Sequence, residues 1–494
     1  MLEQVDFSAQ MDKQTYRAEA EPLLARLEAL QHKMKEAKLP VMVIFEGWGA
    51  AGKGSRIAGL IEPLDPRSFN VFSVLPPDRQ ERRRPFLWRH WVQIPARGMM
   101  HIYDRSYYPE VSIAQLEENL SAAEVLARME DINTFERQLA DDGYLIIKFF
   151  LHISKGEQKK RLDKLAELPE TAWRATERDF TRNRHYDQYA QVFDEMLEKT
   201  YTPWAPWHII SGRDKRHAMY TILRTVVERM EAAVSAAEPT GWCAPERAYE
   251  MLSRPPLAQV DLDKRLEKEV YRTALKQAQR ELAHLHNQIY RLKIPVVLVY
   301  EGWDAAGKGG NIRRLTAALD PRGYDVVPIA GPTAEELSHH YLWRFWKQIP
   351  KDGHIAIFDR SWYGRVMVER IEGLCPQPRW EQAYQEINEF EKQLTDFGAV
   401  VLKFWLHIDP DEQLRRFNDR QNTPEKQWKI TQEDWRNREK WPQYEQAVDE
   451  MIRRTSTKSA PWIIVESQDK RYARIKAIQS AIQAIEARIQ GWDR

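Results

Sequence analysis

The chain spells the same text twice. Pro40–Leu60 and Pro295–Leu315, offset by 255 positions, share 12 of 21 residues. The same offset pairs "FLWRHWVQIP" with "YLWRFWKQIP", "IYDRSYY" with "IFDRSWY", "KFFLHI" with "KFWLHI", "APWHII" with "APWIIV" and "RDKR" with "QDKR". Leading helical stretches keep phase from Tyr16 and Tyr271. Solenoid and propeller repeats recur at roughly 20–50 residues, so a period this long means two whole domains fused in tandem. The domains are expected over 1–240 and 263–494. Between them, 241–262 reads as a connector, within a stretch from Ala236 to Leu262 that holds four prolines and little periodicity.

Each copy alternates strand and helix. In the second, Leu266 to Arg291 repeats apolar residues at helical spacing, and "PVVLVY" follows as a short, buried strand. A glycine loop comes next, then a helix from about Lys308 to Ala318. "YDVVPIA" and "HIAIFD" read as strands separated by a helix carrying "YLWRFWKQ". A helix from about Trp380 to Asp396 leads into the strand "AVVLKFWLHI". The charged, helical stretch Asp411–Arg454 precedes a last strand, "PWIIVES". This order predicts an α/β fold with a parallel sheet and helices on both faces. The charged excursion stands where a mobile lid would be.

Composition bounds the partners. A net charge of +1 provides no global field for nucleic acid or an acidic membrane, so any polyanion must be held by local clusters. Two cysteines exclude a disulfide framework, the N-terminal residues lack a signal-peptide pattern, and the apolar runs are too short to span a bilayer. The expectation is a cytoplasmic protein without a nucleic-acid or membrane partner, and with self-association left open.

"GWDAAGKG" follows a strand and opens a helix, the setting in which a loop can cradle phosphate. Its small residues Gly302, Ala305, Ala306, Gly307 and Gly309 let backbone N–H groups converge on an anion, and Lys308 would reach the phosphate oxygens. The usual closing Ser/Thr is Gly309 here, so another group must help hold a metal. A carboxylate inside such a cradle, Asp304, repels the ligand unless a cation or a substrate donor intervenes. Asp359 ends a strand where parallel sheets bind ligands. Arg360 and Arg365 follow at once, and Arg415, Arg416, Arg420, Lys426 and Lys429 cross the lid stretch. Lys403 interrupts an apolar strand; it is expected to face the anionic crevice rather than to form a structural ion pair. The bland alternatives are a connecting turn for the loop, a capping role for Asp359 and a solvated face for the lid cations.

These stretches resemble the polyphosphate kinase 2 family over both halves. The specific pieces are "GWDAAGKG", "FDRSWYGR", "KFWLHI", "DEQLRRF", Trp428–Lys429 and "APW". The resemblance implies two tandem three-layer α/β/α P-loop kinase domains, each with a helical lid. It also implies phosphoryl transfer from inorganic polyphosphate to a nucleotide with Mg²⁺, and, for two fused copies, conversion of AMP to ADP. It places catalysis on Asp304, Lys308, Asp359 and Arg360, with Asp359 and Asp304 at the metal. Phosphate contacts fall on the loop and on Arg365, Lys403, Arg416, Arg420 and Lys429. Asp304, Arg365, Arg420 and Lys426 become Gly49, Glu110, Leu165 and Thr171 in the first copy. The first domain is therefore expected to be inactive. "ERRRPFLWR" offers Arg82–Arg84 as a solvated cluster or a guide for a long polyanion. Competing readings are an ATP-dependent kinase, transfer to nucleoside diphosphates, and a non-enzymatic polyanion scaffold.

Overall fold

Five runs in each copy become strands; the central ones are buried along most of their length, while the edge strands Phe69–Ser73 and Tyr324–Pro328 are largely exposed. In the first copy they are β1 (Val41–Gly47), β2 (Phe69–Ser73), β3 (Met100–Asp104), β4 (Leu145–His152) and β5 (Trp207–Ser211). In the second they are β6 (Val296–Gly302), β7 (Tyr324–Pro328), β8 (Ile355–Asp359), β9 (Val400–His407) and β10 (Trp462–Glu466). The computed structural model describes residues 1–236 and 248–491. Both sheets are wholly parallel and share one order, β2-β3-β1-β4-β5 and, equivalently, β7-β8-β6-β9-β10. β4 and β9 are buried at every position, as strands covered by helices on both faces must be.

Register sets the site. Tyr300 of β6 lies opposite Asp359 of β8 and Phe404 of β9, so Gly302, Asp359 and His407 finish together at one edge of the sheet. The order of strands reverses across β6, which opens a crevice beyond its carboxyl end.

Helices follow the expected phases with local revisions. Lys268–Leu292 and Gln377–Asp396 are long helices, and Lys308–Thr316 starts directly from the loop. The helix expected to carry "YLWRFWKQ" is a single turn, Trp343–Trp346. Pro350 lies just beyond it and disfavours helical conformation at Ile349, so the helix cannot run on past this point. The lid stretch divides into helices Pro410–Gln421, Gln432–Glu439 and Trp441–Thr455, with a 3₁₀ segment Pro424–Lys429 between the first two. A capping box at Thr431 and Asp434 starts the middle one.

The chain divides into two compact units. One comprises Met1–Asp78, Phe86–Ala244 and Thr333–Trp343; the other Arg79–Pro85, Pro245–Pro332 and Arg344–Arg494. Each unit thus includes one short segment from the opposite half of the sequence. In the second, Arg83 donates to Asp352 at 2.6 Å and Arg84 Nε to the Ile349 carbonyl at 3.3 Å. These two arginines are therefore engaged in packing, unlike a solvated cluster. In the first unit, Arg97 N–H donates to the Ser338 carbonyl at 2.8 Å. The expected connector is described only from residue 248 onward, and its earlier residues lie outside the described ones. Its later part runs along the second unit: Leu257 is buried and donates its N–H to Asp449, and Met251 bridges Thr457.

Candidate active site

The second unit's loop is shaped by turning its carbonyls away from the crevice. Arg416 donates to the carbonyls of Ala305 and Ala306 at 3.0 Å each, and Gln413 to that of Asp304 at 3.1 Å. Trp303 anchors the turn through its indole N–H to His407 and by stacking on Trp441 with centroids 3.6 Å apart. Gly302 must be glycine: its φ is +146°, and a Cβ would sit 2.6 Å from the Leu406 carbonyl oxygen. Ala305 at φ +63° and Arg360 at +68° hold the left-handed conformation without being glycine, a local cost that clusters at functional sites. Gly307 begins the helix Lys308–Thr316 with no side-chain cap, leaving first-turn N–H groups for an anion. Open space lies where a Gly309 side chain would stand.

Charges gather on this frame. Lys308 Nζ donates to the Gly302 carbonyl at 2.8 Å. Asp304, only 17% exposed, accepts from Arg360 at 3.4 Å on one oxygen and from the Asn437 amide at 3.2 Å on the other. Asp359 lies half-buried at the end of β8 and, among the described residues, makes no side-chain hydrogen bond. Burial alone would lower the Arg360 pKa, but the carboxylates of Asp304, Glu301, Glu433 and Asp359 outweigh it and raise that pKa. No cluster of three or more metal-ligating side chains occurs among the described residues. Two carboxylates beside a phosphate cradle nevertheless fit Mg²⁺, which commonly takes one or two carboxylates and fills its shell with water and phosphate oxygens.

Several expected phosphate contacts lie elsewhere. Lys403 does not face the crevice: it is fully buried and donates to Glu391 at 2.6 Å, the Tyr363 hydroxyl at 2.9 Å and the Thr455 carbonyl at 2.6 Å. The burial that makes an uncompensated ammonium costly is met by an internal carboxylate instead of a ligand. Arg416 is also 3% exposed. Beyond its two loop bonds it donates to Glu412, Ser467 and Gln468, so its guanidinium braces the loop from behind. Arg365 pairs with Glu369 at 2.7 Å, and Arg420 is half-buried in the last turn of its helix. The Lys426 and Lys429 side chains lie outside what the structure describes.

The first unit keeps the frame but not the acid. Arg161 donates to the Ala50 and Ala51 carbonyls, and Gln158 to that of Gly49, repeating the brace. Ala50 and Arg105 repeat the positive φ values. A Cβ on Gly49 would lie 2.8 Å from Oδ1 of Asp179, whose counterpart Asp434 caps the same helix in the second unit. Lys53 is 9% exposed and donates to the Gly47 and Trp48 carbonyls; burial and Arg105 lower its pKa to about 8.

Two groups at the second site were missed in the sequence. Glu301 is buried and accepts from Ser361 at 2.7 Å, tying the strand-end turn to the loop; burial raises its pKa. The signal was available, since Glu46 stands at the same point in the first copy and accepts from Ser106. Asn437 lay hidden in a charged helical stretch, where its spacing carries no motif.

Comparison with known proteins fits this architecture. A family model described as polyphosphate kinase 2 matches residues 10–238 and again 265–491. The chain is 42% identical over 491 residues to a "Polyphosphate:AMP phosphotransferase" of Pseudomonas aeruginosa, covering 99% of both chains. A protein of the same name from Pseudomonas syringae pv. tomato is 41% identical, with 98% of each covered. A crystal structure from Pseudomonas aeruginosa, designated polyphosphate kinase 2, is 40% identical and superposes with a TM-score of 0.88 over the whole of both chains. Two copies of one loop, each at the same edge of a parallel sheet and each within a region matched by one family model, place the chain in the polyphosphate kinase 2 family.

Proposed function

We propose that the second unit transfers a phosphoryl group from inorganic polyphosphate to AMP, forming ADP. The observation carrying this reading is the acid held inside the cradle: Asp304 is present only in the second copy, where Arg360 and Asn437 engage its carboxylate. The full-length relatives named for polyphosphate and AMP supply the substrate pair. Loop N–H groups and Lys308 hold the terminal phosphate, and Arg360 stabilises charge on the transferring group. Phosphoryl transfer needs alignment and charge stabilisation more than a covalent intermediate. Asp359 and Asp304 would hold Mg²⁺, which when bound neutralises phosphate oxygens. Among the described residues no helix is long and apolar enough to cross a membrane; a cytoplasmic location belongs to this proposal.

The test uses the full chain, because each unit contains a segment from the other half of the sequence. With polyphosphate, AMP and Mg²⁺ but no ATP, ADP should accumulate. Formation of ADP only when ATP is supplied would point to an ordinary nucleotide kinase. ATP formed from ADP with AMP inert would point to a diphosphate acceptor, and no transfer at all to a binding scaffold.

The first unit is proposed to be inactive, and its missing acid is not the whole reason. Glu110, Leu165 and Arg182 also stand where the second unit has Arg365, Arg420 and Asn437. Gly49→Asp introduced into an Asp304→Asn chain is therefore expected to leave ADP formation at the level of Asp304→Asn alone. A measured gain would show that the first loop needs only its acid.

A further inference from the structure

Asp304 is held by the lid at two points, one on its backbone and one on its side chain. Gln413, on helix Pro410–Gln421, donates to its carbonyl at 3.1 Å. Asn437, on helix Gln432–Glu439, donates its amide N–H to Oδ2 at 3.2 Å. The Arg360 contact to the other oxygen is longer, 3.4 Å, and comes from a side chain 53% exposed. Asn437 has the firmer platform. Its helix begins with a capping box, Arg438 ties it to the Pro410 carbonyl at 2.6 Å, and Trp435 meets Phe417 edge-on at 5.1 Å. The Tyr444 hydroxyl donates to Asn437 Oδ1 at 3.5 Å, so the amide nitrogen is the atom turned to the carboxylate.

The first copy supplies an internal comparison. There the backbone brace persists, Gln158 donating to the Gly49 carbonyl. The side-chain brace does not: Arg182 stands in place of Asn437 and turns to Glu117 at 2.8 Å. The two positions that touch in the second unit, 304 and 437, are changed together in the first. The choice of amide also has a physical sense. With Arg360 already on one oxygen, a second arginine would over-neutralise Asp304, whereas an amide orients the carboxylate without adding charge.

From this geometry we infer that Asn437 is a positioning residue for the transfer reaction: the lid fixes the direction of the Asp304 carboxylate through one neutral N–H donor. The inference rests on the reading of Asp304 as part of the reacting site. It also gives closure of the lid a chemical consequence, since docking of helix Gln432–Glu439 and orientation of Asp304 become one event.

A double-mutant cycle tests it with full-length wild type, Asn437→Ala, Asp304→Asn and the combination. Asn437→Ala should lower kcat roughly tenfold, the scale of one hydrogen bond to a charged group, with KM for AMP and for polyphosphate little changed. In the Asp304→Asn background the same substitution should cost nothing further, because the group it orients is gone. Asn437→Asp, nearly isosteric, removes the donor and adds a like charge, and should lower kcat more than alanine. An unfolding midpoint equal to wild type in each variant removes misfolding as the cause. Wild-type kcat in both Asn437 variants overturns the inference, as does an equal alanine effect with and without Asp304. Wild-type kcat in Asp304→Asn alone instead overturns the reading of Asp304 beneath it.

Discussion

Asp304→Asn is expected to lower turnover with AMP and polyphosphate by about two to three orders of magnitude, the scale of losing a preorganised electrostatic contact at a reacting centre. The substitution keeps shape and removes charge. Asparagine occupies the same volume, and its carbonyl oxygen can still accept from Asn437, now 3.2 Å from Oδ2. The loop carbonyls stay fixed by Arg416 and Gln413, so the anion cradle should survive. KM for polyphosphate should accordingly change by less than about threefold, since uniform binding is untouched while an interaction specific to the reacting state is lost. Steady-state ADP formation with each substrate varied separately separates the two parameters. Unaltered kcat removes Asp304 from the reaction, and a rise in KM alone assigns it to ground-state binding.

The fold was legible because duplication supplied each signal twice. Strands β6 and β9 announce themselves as short apolar runs, and the offset carries the same assignments onto β1 and β4. The loop was equally plain, since small residues, a lysine and the following helix sit at fixed spacing. What sequence spacing does not contain is direction. Lys403 and Arg416 were both expected to contact phosphate, yet one is satisfied by Glu391 and the other by backbone carbonyls of the loop itself. Glu391 lies twelve residues before Lys403 on a separate element, and nothing in their separation identifies a pair. The exchange of Arg79–Pro85 and Thr333–Trp343 between units was also beyond reach, because a segment's own residues do not state which sheet it packs on. A strand carrying one charge calls for a partner; only the tertiary structure says whether that partner is a ligand or a neighbour.

That distinction yields a stability prediction as large as the catalytic one. Lys403→Met should destabilise the second unit by about 3–5 kcal/mol, because it strands a buried carboxylate without its cation. Glu391 is 1% exposed and accepts from Lys403, Tyr363 and Trp362, and Lys403 itself is 0% exposed. Burial raises the Glu391 pKa, and Lys403 is the largest influence lowering it again. Removing the lysine leaves burial less opposed, so the folded carboxyl holds its proton more tightly than the unfolded one. The folded state then binds more protons, and stability must fall as pH rises from the ordinary carboxyl range through the raised folded value. The variant's deficit in urea unfolding should therefore be small in acid and grow toward neutrality. Converting both partners, Lys403→Met with Glu391→Leu, should recover much of the loss at neutral pH, since two apolar groups carry no desolvation penalty, although the Tyr363 and Trp362 donors lose their acceptor. If Lys403 faced a ligand instead, the single variant would unfold like wild type and lose affinity for polyphosphate. Equilibrium unfolding of the single and double variants across pH, with polyphosphate binding followed on the same samples, separates these outcomes. The Lys148–Glu136 pair at 2.8 Å in the first unit should behave alike, which makes the measurement its own replicate.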